Sequence, residues 1–146
     1  MKLYTIGFTK KTAEEFFTLL IENKIRTIID IRRKNTSQLA GFTKKNDLKF
    51  FLKSTANINY VYLIEFAPSE IIFKNHGIKK ENWVLYEQEY LDQLKKYRNW
   101  ENFDIEILQD GCLLCSEPSP SKCHRILLAK FLSTQFKDKA IQIIHL

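Results

Sequence analysis

The sequence predicts an α/β protein of the three-layer, Rossmann-like kind, with a mostly parallel sheet of about five strands in a single domain, residues 1–146. Three observations carry this reading. Short β-prone apolar runs recur along the chain, at LYTI (3–6), IRTIIDIR (25–32), INYVYLI (58–64), CLLC (112–115) and KAIQIIHL (139–146). Helical periodicity separates most of them, and strands alternating with helices imply a parallel sheet covered on both faces and joined by right-handed crossovers. Finally, the second run is continuous and β-branched, as expected of a strand buried on both sides.

Taken in order, LYTI is a short first strand ended by Gly7. TKKTAEEFFTLLIENK then spaces Phe16, Leu19 and Leu20 as a helix would, with Thr12 and Glu15 forming a capping box. After the second strand, RKNTSQLAGFTKKN is polar and aperiodic, so it reads as a loop of about ten residues, a length more often functional than idle in a compact domain. A helix carrying Leu48, Phe51 and Leu52 leads to the third strand, which ends near Pro68. NWVLYEQEYLDQLKKYRNW places Val84, Leu91, Leu94 and Tyr97 at helical spacing, whereas DIEILQDG fits either a helix extension or a strand. CLLC is a short buried fourth strand, Ser121 is positioned to cap a helix with Leu127, Leu128, Phe131 and Leu132 on its apolar face, and KAIQIIHL closes the sheet.

Composition narrows the functional classes. No stretch approaches the roughly 18 apolar residues of a spanning helix, so no membrane role is expected and the chain reads as cytoplasmic. Three cysteines form no disulfide framework; they read as reduced thiols, each a candidate for reactivity or metal binding. The net charge of +6 is uneven: residues 1–60 hold 12 Lys/Arg against 5 Asp/Glu, while the remainder is near neutral. That asymmetry points to an anionic partner, a small molecule or a nucleic acid. Neither GxxxxGK[ST] nor GxGxxG occurs, which disfavours a P-loop or dinucleotide role, and no cofactor is expected.

In open α/β sheets ligands gather beyond the carboxyl ends of the strands, where strand order reverses. The candidates are therefore Gly7 and Thr9 after the first strand, Asp30 and Arg32 at the end of the second, and Ser116 and Glu117 after the fourth. A strand order of 3-2-1-4-5 would make the first and fourth strands neighbours and turn Gly7 and Glu117 toward one crevice. Asp30 and Arg32, two apart on a strand, share a face, as a catalytic carboxylate with its clamp or as a buried ion pair fixing the loop.

The segment CSEPSPSKCHR (115–125) is the densest in chemistry. Seven residues separate Cys115 from Cys123, too many for the usual zinc pair, and adjacent Cys123 and His124 diverge on a helical turn, so no metal site is expected. Cys123, near a helix N-terminus and flanked by Lys122, His124 and Arg125, is placed where a thiol pKa falls. Arg125 is suited to binding phosphate or carboxylate in bidentate fashion, and Glu117 is placed as a general base or hydroxyl acceptor. The purely structural alternatives are a capping Glu117, a His124 bonded to a carbonyl, and buried apolar thiols, the last preferred for Cys112.

Together, TIGFT (5–9), DIRR with Ser37 and Gly41-Phe42, NYVYLIEFAPS (59–69), CSEPSPSKCHR and the terminal HL resemble the domain-of-unknown-function family numbered four-eight-eight. The resemblance implies a compact α/β sandwich and marks Gly7, Asp30, Arg32, Ser37, Gly41, Phe42, Cys115, Glu117, Cys123, His124 and Arg125 as the functional set. This chain departs from many relatives at Phe8-Thr9, where they carry His-Ser, and at Glu65 to Pro68, where they carry Leu-Gly-Gly.

Three functions follow as expectations. In the first, an enzyme or binding protein for a nucleotide, nucleobase or phosphorylated metabolite uses Glu117, Cys123, Cys115 and Asp30 for chemistry. Gly7, Thr9, Arg32, Ser37, Gly41, Phe42, His124 and Arg125 then hold the ligand. In the second, a non-catalytic nucleic-acid module uses the basic 32–53 stretch, with Phe42 stacking a base. The third is thiol redox or metal binding through the cysteines.

Overall fold

The computed structural model describes residues 1–146. Five strands, β1 (Lys2–Gly7), β2 (Thr27–Asp30), β3 (Asn59–Tyr62), β4 (Gly111–Cys115) and β5 (Gln142–His145), form one parallel sheet in the order β3-β2-β4-β1-β5. Side chains on alternate positions divide between two cores. Tyr4, Ile6, Ile28, Cys112 and Leu114 meet helices α1 (Ala13–Glu22) and α2 (Lys45–Ala56) through Phe16, Leu20, Leu48 and Leu52. Leu3, Ile29, Ile31 and Leu113 meet α3 (Glu70–His76), α4 (Trp83–Lys96) and α5 (His124–Gln135) on the other face. The expected three-layer α/β architecture is therefore present. No helix is long and apolar enough to cross a membrane.

The strand order differs from 3-2-1-4-5 in one respect: β4 is inserted between β1 and β2. GCLLC carries no polar side chain and is buried at every position, whereas β1 begins at an exposed Lys2 and contains Thr5, so the centre falls to β4. The adjacency of β1 and β4 is as anticipated, with Gly7 opposite Cys115. Insertion of β4 also brings the end of β2 beside it, with Asp30 opposite Leu114. The ends of β1, β2 and β4 are contiguous in either order; what changes is that β2 lies beside β4 instead of β1.

Local chemistry explains most boundaries. Both halves of the α1 capping box form, Glu15 N donating to Thr12 Oγ1 at 3.1 Å and Thr12 N to Glu15 Oε2 at 2.7 Å. Ser121, in contrast, does not cap α5. Lys122 adopts a left-handed φ of 53°, which delays the helix by two residues, so Cys123 occupies the cap position and Ser121 pairs with Ser119 instead. In α4 the buried stripe is Tyr86, Tyr90 and Leu94, while Val84 is exposed. The ambiguous DIEILQDG becomes a 3-10 turn at Ile105–Leu108, started by Asp104 accepting from Glu106 N at 3.1 Å. A short helix absent from the sequence reading, α3, begins where Ser69 caps Ile72 N at 3.3 Å.

Candidate functional site

Asp30 is fully buried, and its carboxylate accepts five hydrogen bonds: from Arg32 N, Nε and Nη2, from Asn35 Nδ2 and from Tyr60 OH, at 2.6–3.1 Å. Arg32 completes the arrangement by donating to Thr43 Oγ1 at 3.0 Å and to Thr43 O at 2.8 Å. The pair thereby pins the loop after β2 to the strand it left. Burial, followed by the bond to Asp30, pushes the Tyr60 hydroxyl well above its usual range.

Behind the ends of β1 and β4 lies a second buried group. Arg125 is fully buried; its Nη1 donates to Cys115 Sγ at 2.8 Å and to the Glu117 carbonyl, and Nη2 to the Pro118 carbonyl at 3.4 Å. The guanidinium therefore straps the Ser116–Pro118 turn from inside. Gly7 is required here: a Cβ would sit 1.7 Å from the Glu117 carbonyl oxygen and 2.6 Å from Arg125 Nη1. The sulfurs of Cys115 and Cys123 lie 3.0 Å apart, both buried. Burial pushes the Cys115 thiol up, but the bond from Cys123 and the charge of Arg125 outweigh it and bring Cys115 down to about 7. Cys123, as the donor, is pushed up by that bond and by burial. The lowered thiol is thus Cys115, whereas the helix N-terminus alone had pointed to Cys123. Cys112 is a core side chain whose thiol burial also pushes up.

His124 donates from Nε2 to the Ile31 carbonyl at 3.0 Å and packs edge-on to Tyr90. Burial lowers it to about 4, so it is neutral near pH 7.

In front of these groups opens a pocket of about 730 Å³. It is lined by Thr9, Arg32, Ser37, Gly41, Phe42, Glu117 and His124 from the sequence-derived set. Gly7, Asp30, Cys115, Cys123 and Arg125 stand outside the lining, supporting it from behind. The lining carries six cations, Lys10, Lys11, Arg32, Arg33, Lys34 and Lys80, against the single carboxylate of Glu117. Three of them cover aromatic rings: Arg32 over Phe8, Lys34 over Phe73 and Lys80 over Tyr86, at 5.2–5.4 Å from the ring centres.

Lys80 escaped the sequence reading. It is 7% exposed and left-handed (φ 47°); its ammonium lies 3.4 Å from Glu117 Oε1 and 3.0 Å from the Lys122 carbonyl. Nothing in GIKKEN distinguishes it from a surface lysine. Lys10 and Lys11 had a usable signal, since they directly follow the end of β1.

An open parallel sheet with helices on both faces and a cationic pocket over the carboxyl ends of its central strands defines an α/β protein of the three-layer, Rossmann-like class. A family model described as Domain of unknown function DUF488 matches residues 12–132, and the chain belongs to that family. No curated protein and no solved structure matches it.

Proposed function

We propose that the pocket binds a phosphorylated small molecule bearing a flat ring, of the nucleotide class, and that Glu117 acts on it. The observation that carries this reading is the lining of six cations against one carboxylate, interleaved with Phe8 and Phe73. Such a lining favours an anion with an apolar face, and the volume falls within the range of small-ligand sites. Arg33, Lys34, Lys10 and Lys11 supply the phosphate contacts, while Arg32 is fixed by Asp30. Glu117 is the one carboxylate of the pocket, placed to accept a proton from a ligand hydroxyl or water, with Lys80 holding it in place.

The nucleic-acid alternative has less support. Of the basic stretch, Arg32 is engaged with Asp30, Lys45 lies over Tyr62 at 4.4 Å, and Lys53 bonds Asn57. Phe42, its expected stacking platform, packs against Phe16 and Phe17.

Calorimetric titration with adenosine monophosphate, adenosine and a short single-stranded oligonucleotide tests the reading. The nucleotide is expected to bind with an affinity that falls as salt rises, the nucleoside at least about tenfold more weakly. Failure to bind the nucleotide, or tight binding of the oligonucleotide alone, would overturn it. Glu117→Gln is expected to retain binding and to abolish any turnover of the bound ligand.

A further inference from the structure

Three buried cations sit near the strand ends. Arg32 faces Asp30 and Lys80 faces Glu117, but Arg125, the most deeply buried, forms no ion pair with any carboxylate. An unbalanced guanidinium in the interior is strongly unfavourable. The one ionisable group that touches it is the Cys115 sulfur, 2.8 Å from Nη1. Charge balance therefore assigns the negative charge to sulfur. The second sulfur, Cys123, lies 3.0 Å away, so closing to a covalent bond of about 2.05 Å requires a movement of about 1 Å.

We propose that Cys115 is the thiolate counter-ion of Arg125 and, with Cys123, forms a dithiol that a hydroperoxide oxidises to a disulfide. The thiolate attacks one oxygen of hydrogen peroxide; the S–O bond forms, the O–O bond breaks, and hydroxide leaves. Cys123 then gives up its proton, and its sulfur attacks the Cys115 sulfenic sulfur. The S–S bond forms, the S–O bond breaks, and the departing oxygen leaves as water. Two electrons pass from the sulfurs to peroxide, and a dithiol reductant reverses the change.

The surroundings fit this order of events. Cys115 is the sulfur facing Arg125, with Lys11 adding positive potential from the β1–α1 turn. Tyr86 and Tyr90 of α4 and Cys112 on β4 are all pushed up by burial and stay neutral, and the nearby Glu117 carboxylate is turned to Lys80 at 3.4 Å. Both sulfurs are shut off from solvent, which excludes bulky electrophiles and selects for an oxidant of nearly water's size. Neither sulfur lines the pocket, so this chemistry is separate from that of Glu117.

The test treats the native full-length chain with hydrogen peroxide, then unfolds and alkylates it for intact and peptide mass spectrometry. A mass lower by two hydrogens, alkylation at Cys112 alone, a bridged Cys115–Cys123 peptide and reversal by dithiothreitol are expected. Three alkylated cysteines after excess peroxide, or a bridge that includes Cys112, would overturn the proposal. In Cys123→Ser, unfolding the peroxide-treated chain in the presence of dimedone is expected to trap a sulfenic acid on Cys115, and an adduct confined to Cys112 counts against it. The initial oxidation rate of the unmodified chain is expected to rise with pH around a midpoint near 7. A midpoint near the ordinary thiol value of about 8.5 would refute the thiolate.

Discussion

At the scale of single residues, the site is held by groups that direct their hydrogen bonds to one another. Asp30 accepts five hydrogen bonds and Arg32 spends its donors on Asp30 and Thr43, so the pair acts as a buried clasp between strand and loop. Asp30→Asn removes the counter-charge of a buried guanidinium, and a loss of about 3–5 kcal/mol in unfolding free energy is expected by urea denaturation. Loop residues 33–43 should also become cleavable by protease in the variant while still native. An unchanged urea midpoint would mean that Arg32 finds its balance elsewhere. Gly7 is constrained by closeness alone: any side chain meets the Glu117 carbonyl. Gly7→Ala must force β1 away from the Ser116–Pro118 turn, at a cost of about 3 kcal/mol or more. The same denaturation measurement checks it, and a neutral result would show that the turn yields freely.

At the scale of elements, two segments with special backbone geometry frame the pocket. The 3-10 stretch Gln38–Thr43 is broken at Gly41 (φ 54°, ψ −130°), and α3 ends at Gly77 (φ 59°, ψ −158°). Both are conformations that only glycine adopts easily, and at both a Cβ would meet no neighbour within 4 Å. Substitution by alanine therefore tests backbone conformation free of steric clash. Gly41→Ala and Gly77→Ala are each expected to lose about 1–3 kcal/mol, or to shift their loops and weaken nucleotide binding at calorimetry. Unchanged stability together with unchanged binding would refute the assignment. These elements also separate what was legible in sequence from what was not. The capping box of α1 and the β-branched β2 are local signals, and both hold. Ser121 failed as a cap because Lys122 takes a left-handed φ, which its residue type does not announce. Val84 was misplaced because the apolar bodies of Tyr86 and Tyr90 form the buried stripe while their hydroxyls disguise it. Lys80 could not be found because its value depends on Glu117, 37 residues away.

At the scale of the molecule, sheet order gathers chemistry scattered along the chain. With β4 between β1 and β2, cations from the β1–α1 turn and the loop after β2 face Glu117 from the turn after β4. The two halves of that arrangement are joined by His124, at the start of α5, whose Nε2 holds the Ile31 carbonyl just past β2. Burial lowers this imidazole from 6.5 to about 4, and that shift fixes a sign for pH dependence. Between those values the unfolded chain holds a proton that the folded chain refuses, so stability is complete above about 6.5 and falls as pH drops toward about 4. For a group this largely buried (9% exposed) with a shift of this size, the loss attributable to His124 is at most about 3 kcal/mol. The measurement is a difference, so contributions common to both chains cancel. Urea unfolding free energies across pH 4–7 are compared between the native chain and His124→Gln, which retains an amide donor for Ile31. The native curve is expected to fall more steeply on acidification by up to that amount. Parallel curves would show that His124 accepts a proton without strain, and the link between α5 and β2 would then be insensitive to pH.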